Sequence, residues 1–274
     1  MTIPRILSIA GSDSGGGAGI QADIKTITML GGHAMTAITA ITAQNTLGVT
    51  EVMPVPTATV LAQIEAVIGD IGVDAVKIGM IGSAETASAI ADFFASPQGV
   101  RELPMVFDPV MVATSGATLA DEATITAFER LMAVAPLLTP NAPELAALSG
   151  LVVNSEAQLE LAARALAERY GIAVLAKGGH IESDTLTDIL IDREGAVTRW
   201  TSERIETRHS HGTGCTLSSA IATELAFGRP LPEAIGRARS YVRTAMLAAP
   251  GLGHGHGPMG QGLGRIHFAP PDAE

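Results

Sequence analysis

The sequence predicts one α/β domain over residues 1–274, built on a mostly parallel sheet. Three observations predict it. Short apolar runs alternate with helical patterns along most of the chain. No linker, repeat or charged block divides it. Several apolar runs end in polar or glycine-rich residues, as strands do at the ligand-binding edge of a doubly wound sheet.

The candidate strands are, in order, Arg5–Ala10, Met35–Thr42, Ala75–Met80, Met105–Asp108, Pro136–Thr139, Ala173–Ala176, Asp188–Ile191 and Val197–Ser202. Between them, helical spacing appears at Ile20/Ile24/Ile27, at Leu61/Ile64/Ile68 and at Leu159/Leu166. Strands separated by helices of this length imply βαβ units with right-handed crossovers. The stretch from Asp184 to Glu206 differs, because two strand patterns meet at Arg193-Glu194-Gly195 and predict a late antiparallel hairpin. Chemistry is expected where strands run into Gly11-Ser12-Asp13, Ala43-Gln44-Asn45, Gly79-Met80, Asp108, Thr139-Pro140-Asn141 and Lys177-Gly178-Gly179.

Hydrophobic residues make up 47% of the chain and aromatics 3%, so Ala, Ile, Leu and Val must fill the core. A net charge of −11 argues against a broad nucleic-acid or anionic-membrane surface. Any phosphate must therefore be held by backbone amides, a metal and a few placed cations. One cysteine excludes an internal disulfide. The apolar run near the N-terminus breaks into glycine too soon for a signal peptide, and no run is long enough to span a bilayer. A cytoplasmic protein is expected.

Gly212-Thr213-Gly214-Cys215 opens a helix with an apolar face at Leu217, Ile221 and Leu225, ended by Gly228 and Pro230. A helix start has unpaired N–H groups and the positive end of the dipole, which attract phosphate. Glycines at 212 and 214 let an anion approach the backbone, and the same field is expected to favour a Cys215 thiolate. The plainer alternative is a glycine-rich loop before a core helix, with Cys215 a small buried hydrophobe.

Standard nucleotide motifs are absent from the sequence. No Gly-Lys pair exists for a Walker A loop, and Ile20 stands where a G-x-G-x-x-G reading from Gly15 needs its last glycine. Zinc spacings are absent too. What remains is spread along the chain. Asp108 and Glu144 follow strands and are candidates for Mg²⁺, directly or through water, although Glu144 taken alone reads better as a first-turn acid stabilising its own helix. Lys177 can reach a phosphate. Joined to the Gly212–Cys215 turn, these residues make a phosphoryl-transfer set: metal, cation, anion hole and base.

The runs AGSDSGGGAGIQADIKT (10–26), ITAQNT (41–46), KIGM (77–80), FDPVMVATSG (107–116), TPNAPE (139–144), KGGH (177–180) and HGTGCTLSSAIA (211–222) span nearly the whole chain. In this order the chain resembles the ribokinase-like kinases, and among them the hydroxymethylpyrimidine and phosphomethylpyrimidine kinases of thiamine biosynthesis. Cys215, where most ribokinase-like enzymes carry aspartate, points with Gln44 and Met80 to that branch.

The resemblance implies a three-layer α/β/α sandwich and ATP-dependent phosphorylation of 4-amino-5-hydroxymethyl-2-methylpyrimidine and its monophosphate. It implies ATP and Mg²⁺ as cofactors and a homodimer. Residue by residue, it places the backbone at Gly11 and the Asp23 carboxylate on the substrate hydroxymethyl group, Gln44 on the aminopyrimidine edge and Met80 on the ring. Asp108 and Glu144 would organise Mg²⁺, while Lys177, Asp188 and Thr213 would serve the nucleotide. Cys215 would be the base, with the amides of residues 212–215 holding the phosphoryl group. Two alternatives are pyridoxal or pyridoxine kinase activity, whose substrate shares a planar ring with a hydroxymethyl arm, and a nucleotide sensor that has lost transfer. The stretch GLGHGHGPMGQGLGRIHFAP (251–270) departs from the family pattern. Its histidines are expected in a mobile loop without assigned function, and residues 260–274 as a flexible or extended tail.

Overall fold

The computed structural model describes residues 3–96, 103–113 and 116–262. Nine strands, β1 (Arg5–Asp13), β2 (His33–Gln44), β3 (Val49–Pro54), β4 (Ala75–Ile78), β5 (Met105–Phe107), β6 (Leu137–Leu138), β7 (Ala173–Ala176), β8 (Thr185–Ile191) and β9 (Val197–Glu203), form one sheet. Their order is β3-β2-β1-β4-β5-β6-β7-β8-β9. From β2 across to β7 the pairing is parallel. At the edges β3 pairs antiparallel with β2, and β8 with β7 and β9. The late hairpin predicted around Arg193–Gly195 is therefore present.

Helices cover both faces. On one side lie α2 (Thr57–Asp70), α3 (Ala84–Ala95), α4 (Glu122–Met132), α5 (Ala142–Ser149) and α6 (Glu156–Tyr170), whose buried residues Ile64, Ile90, Phe128, Leu145 and Leu166 pack with Leu7, Ile9, Phe107 and Val174 of the strands. On the other lie α1 (Gly19–Met29), α7 (Thr213–Ala226) and α8 (Leu231–Leu247), packed through Ile27, Ile221 and Ile235 against Ile6, Val106 and Leu175. Neighbouring strand residues thus face opposite cores, which is why these strands read as unbroken apolar runs. The sandwich has the three layers expected.

Strand β3 was not expected from the sequence. Its residues are exposed or half-buried, so no apolar alternation marks it. The turn before it is held locally, with Asn45 Oδ1 accepting from the Leu47 amide at 2.8 Å and the Asn45 amide donating to the Gly48 carbonyl at 3.0 Å.

The glycine- and histidine-rich stretch also differs from expectation. The His256 amide donates to the Thr46 carbonyl at 2.8 Å, and a Cβ on Gly255 would come within 2.1 Å of that same oxygen. Here glycine permits backbone to pack on backbone, so residues 253–257 form a strap over the β2–β3 turn, not a loose loop. Residues 260–262, expected in the tail, are docked as well: Gln261 is buried, its carbonyl accepts from the Tyr241 hydroxyl at 2.5 Å and its amide donates to the Gly17 carbonyl at 3.2 Å. The rest of the expected tail, 263–274, lies outside the described residues.

The chain leaves β1 toward β2 on one side and returns to β4 on the other. This reversal opens a crevice beyond the carboxyl ends of β1 and β4, the place where open α/β sheets take ligands.

Candidate active site

That crevice is the mouth of a cavity of about 1180 Å³ running along the carboxyl edge from β2 to β8. Every site residue named from the sequence lines it except Asp23.

The centre is the start of α7. Gly212 is its N-cap in a left-handed conformation (φ 85°), and no side chain caps the helix. A Cβ at Gly212 would stand 2.0 Å from the Gly17 carbonyl, so the turn can approach the β1–α1 loop only with glycine here. A Cβ at Gly214 would sit 3.2 Å from Asp108 Oδ2 and 3.4 Å from Lys177 Nζ. The uncapped first turn therefore faces a carboxylate and an ammonium directly. Thr213 lines the cavity beside them.

Asp108, which follows β5, is buried. Its Oδ1 accepts from Lys177 Nζ at 2.7 Å and from Thr139 Oγ1 at 3.3 Å. Lys177 Nζ also lies 3.9 Å from Glu144 Oε2. Glu144 forms a capping box with Asn141, each taking the other's backbone N–H at 2.8 and 2.9 Å, so the plainer reading of this residue holds alongside the functional one. Burial above all, with the nearby Asp108, pushes its carboxyl up to about 7 against the downward pull of Lys177. Two carboxylates thus share one ammonium, and the surplus negative charge suits a further cation. Among the described residues no three carboxylate, histidine or cysteine groups converge on one point. The Asp108–Glu144 pair fits Mg²⁺, which takes one or two carboxylates and completes its shell with water and substrate phosphate.

Cys215 corrects an expectation. Its thiol lines the cavity, but burial raises it to about 11; Lys77 and the Gly19 amide pull it down while Asp23 and Asp108 push it up. Desolvation outweighs the helix field, and at neutral pH the resting side chain is a thiol, not the thiolate the helix start implied.

At the β1/β2 end, Met80 packs against Gly11, where a Cβ would lie 2.9 Å from its sulfur. Gln44 Oε1 accepts from Thr42 Oγ1 at 3.1 Å, and its Nε2 lies 3.2 Å from His211 Nε2. That same ring nitrogen is 3.0 Å from Asp13 Oδ2. A carboxylate only accepts, so the proton on this nitrogen points to Asp13. Asp13 also takes the amides of Gly15, Gly17 and Ala18, knotting the glycine loop. Burial would raise its carboxyl, yet His211 and the amides of Ala18 and Gly15 together hold it below the usual range. Asp13 and His211 were given no role from sequence; the signal was there, since both fall within the quoted runs, but only the fold joins residues 198 positions apart.

Asp23 is not where the resemblance implied. It is fully buried beneath the cavity, with Oδ1 accepting from Ser219 Oγ at 2.5 Å and Oδ2 from Ser8 Oγ at 2.5 Å and Lys77 Nζ at 2.8 Å. It is fully buried and does not line the cavity, so a substrate hydroxymethyl group does not reach it in this arrangement. Asp188 reaches the cavity wall, but it accepts from the Gly178 amide at 2.9 Å and from Arg239 Nε at 2.7 Å. Its work is to fix the 3-10 turn Gly178–His180 after Lys177 and to hold Arg239, a lining cation that the sequence reading missed.

The chain is 48% identical over 265 residues to the hydroxymethylpyrimidine/phosphomethylpyrimidine kinase of Rhizobium meliloti, covering 95% of each chain. It is 49% identical over 255 residues to the thiamine biosynthesis bifunctional protein ThiED of Geobacter sulfurreducens, where 93% of this chain spans only 51% of that longer protein. In three dimensions it resembles the ADP complex of Bacillus subtilis pyridoxal kinase, with a TM-score of 0.86 at 32% identity over 96% of this chain and 98% of that one. The family model of phosphomethylpyrimidine kinase matches residues 13–260. With the ribokinase-like sandwich and the glycine-capped turn at Cys215 in place, the chain belongs to the phosphomethylpyrimidine kinase family.

Proposed function

We propose that this kinase transfers the terminal phosphoryl group of ATP to the hydroxymethyl oxygen of 4-amino-5-hydroxymethyl-2-methylpyrimidine, and then to the monophosphate, supplying the diphosphate for thiamine diphosphate synthesis. One observation carries the reading: the uncapped start of α7 lies directly beside Asp108 and Lys177, in a cavity that has Gln44 and Met80 at its other end. The pyrimidine lies against Gly11 and Met80, which line the cavity side by side, with its polar edge on the Gln44 amide, which can both donate and accept. The nucleotide lies toward Leu186, Arg239 and Val242, so its terminal phosphate meets the amides of residues 213–215. Lys177 pairs with the phosphate oxygens.

Asp108 and Glu144 hold Mg²⁺, directly or through water, and the ion when bound neutralises charge on the phosphates. As the new O–P bond forms and the bond to the β-phosphate oxygen breaks, ADP leaves and the alcohol proton passes to Cys215, whose small thiolate fraction acts as the base. Homodimerisation belongs to the same reading, the exposed Ile41, Leu47 and Met53 around the β2–β3 hairpin being apolar surface that a second copy would cover. So does a cytoplasmic location; no helix among the described residues is long and apolar enough to cross a membrane.

The likeness to a pyridoxal kinase favours one rival substrate. Wild-type kcat/KM should be higher for the aminopyrimidine than for pyridoxal. Gln44→Leu should cost about 1–3 kcal/mol of pyrimidine recognition through the unmet polar edge, with the KM for ATP unchanged. Equal losses toward both ligands would assign Gln44 a structural role, and a higher kcat/KM for pyridoxal would replace the substrate.

A further inference from the structure

Beneath the α7 turn lies a polar cluster that the transfer chemistry above does not use. Lys77, in the otherwise apolar strand β4, is fully buried, and so are its partner Asp23 and the two serines that share it. Asp23 ties together four elements: β1 through Ser8, β4 through Lys77, its own helix α1, and α7 through Ser219. Ser219 lies one helical turn after Cys215, so this tie sets the face of α7 that carries the cysteine.

A buried ion pair is a poor device for stability, since well-packed apolar residues of similar size often serve as well or better. Its location supplies the other reason. Lys77 Nζ packs beside Gly79, next to the cavity residue Met80, and its charge acts on both Cys215 and Asp108. Among the groups that act on the Cys215 thiol, Lys77 draws it downward more than any other, against the upward push of burial, Asp23 and Asp108.

We propose that Lys77 is a positioning residue for phosphoryl transfer, a fixed positive charge behind the first turn of α7 where negative charge gathers as the phosphoryl group moves. Asp23 holds that charge in place and offsets the cost of burying it. The inference rests on the reading of the α7 turn as the phosphoryl site. Neither residue touches substrate, so the effect belongs in kcat and not in KM.

Three variants of the whole protein test this: Lys77→Met, Asp23→Asn and the double variant, each assayed for thermal midpoint and for kcat and KM with the pyrimidine alcohol. Lys77→Met strands a buried carboxylate, so its midpoint should fall. Its kcat should drop by about 10-fold or more, short of the ~10²–10³ lost when a donor in direct contact is removed, with KM within about threefold. In the double variant the stranded charge is gone and the midpoint should recover, yet kcat should stay low. Asp23→Asn, which keeps the lysine and leaves Asp108 acting on it, should lose less kcat than Lys77→Met.

Recovery of kcat together with the midpoint in the double variant would make the pair purely structural, as would equal kcat losses in the two single variants. If Lys77→Met yields no folded protein, the double variant against Asp23→Asn carries the same contrast. Failure of the turn reading looks different: Cys215→Ala would then keep its full alcohol rate while the contrast between the Lys77 and Asp23 variants is measured independently.

Discussion

Cys215→Ala is expected to slow phosphorylation of the pyrimidine alcohol by ~10²–10⁴-fold, the range for losing a positioned base, and to harm phosphorylation of the monophosphate far less. The two nucleophiles differ in what they need. The alcohol is neutral and must lose a proton during attack. The monophosphate already carries ≈ −1.5 to −2 charge near neutral pH, its second pKa being about 6. Cys215→Ser should resemble Ala, because a serine hydroxyl is not ionised in this range.

The raised thiol adds a pH signature. Below about 11 the thiolate fraction grows tenfold with each pH unit, so the alcohol step should climb between pH 7 and 9 while the monophosphate step stays flatter there. The extra slope should vanish in Cys215→Ala. Assay of each step separately, with purified monophosphate as the second substrate, checks both parts. Equal losses in the two steps would reduce Cys215 to a wall of the anion hole.

The second large effect concerns the carboxylates. Asp108→Asn or Glu144→Gln should lower kcat by at least ~10²-fold in both steps while pyrimidine binding changes little, because charge that develops in transfer would lose its counterion. Both steps suffer here, which separates this defect from that of Cys215. Glu144→Gln should also destabilise α5 modestly, since Gln still accepts the Asn141 amide in the capping box. An unchanged kcat in both variants, measured at saturating Mg²⁺ and ATP, would remove the pair from the mechanism.

Much of this site was legible before the fold was known, and the reason is local. Gly212, Gly214 and Cys215 sit in one turn, and Asp108, Glu144 and Lys177 each follow a strand whose apolar run marks where it ends. A parallel sheet brings those ends to one edge whatever the loop lengths. What stayed hidden depends on tertiary surroundings. Asp23 reads as a ligand of the substrate until Ser8, Lys77 and Ser219 close around it. The helix field at Cys215 can be inferred from spacing, but the burial that defeats it cannot. Arg239 becomes a cavity residue because Asp188, 51 positions earlier, and the Trp200 carbonyl hold it there. Strand β3 went unseen because its residues enter no core, so no period marks it.

The central claim, two successive phosphorylations in one cavity, is tested most directly by counting products. Purified protein is incubated with ATP, Mg²⁺ and 4-amino-5-hydroxymethyl-2-methylpyrimidine, and the pyrimidine species are separated by anion exchange over time. The monophosphate should rise first and then fall as the diphosphate accumulates, with two ADP formed for each diphosphate. A monophosphate that persists as the end product would contradict the second transfer, and the absence of any phosphorylated pyrimidine would contradict the account as a whole.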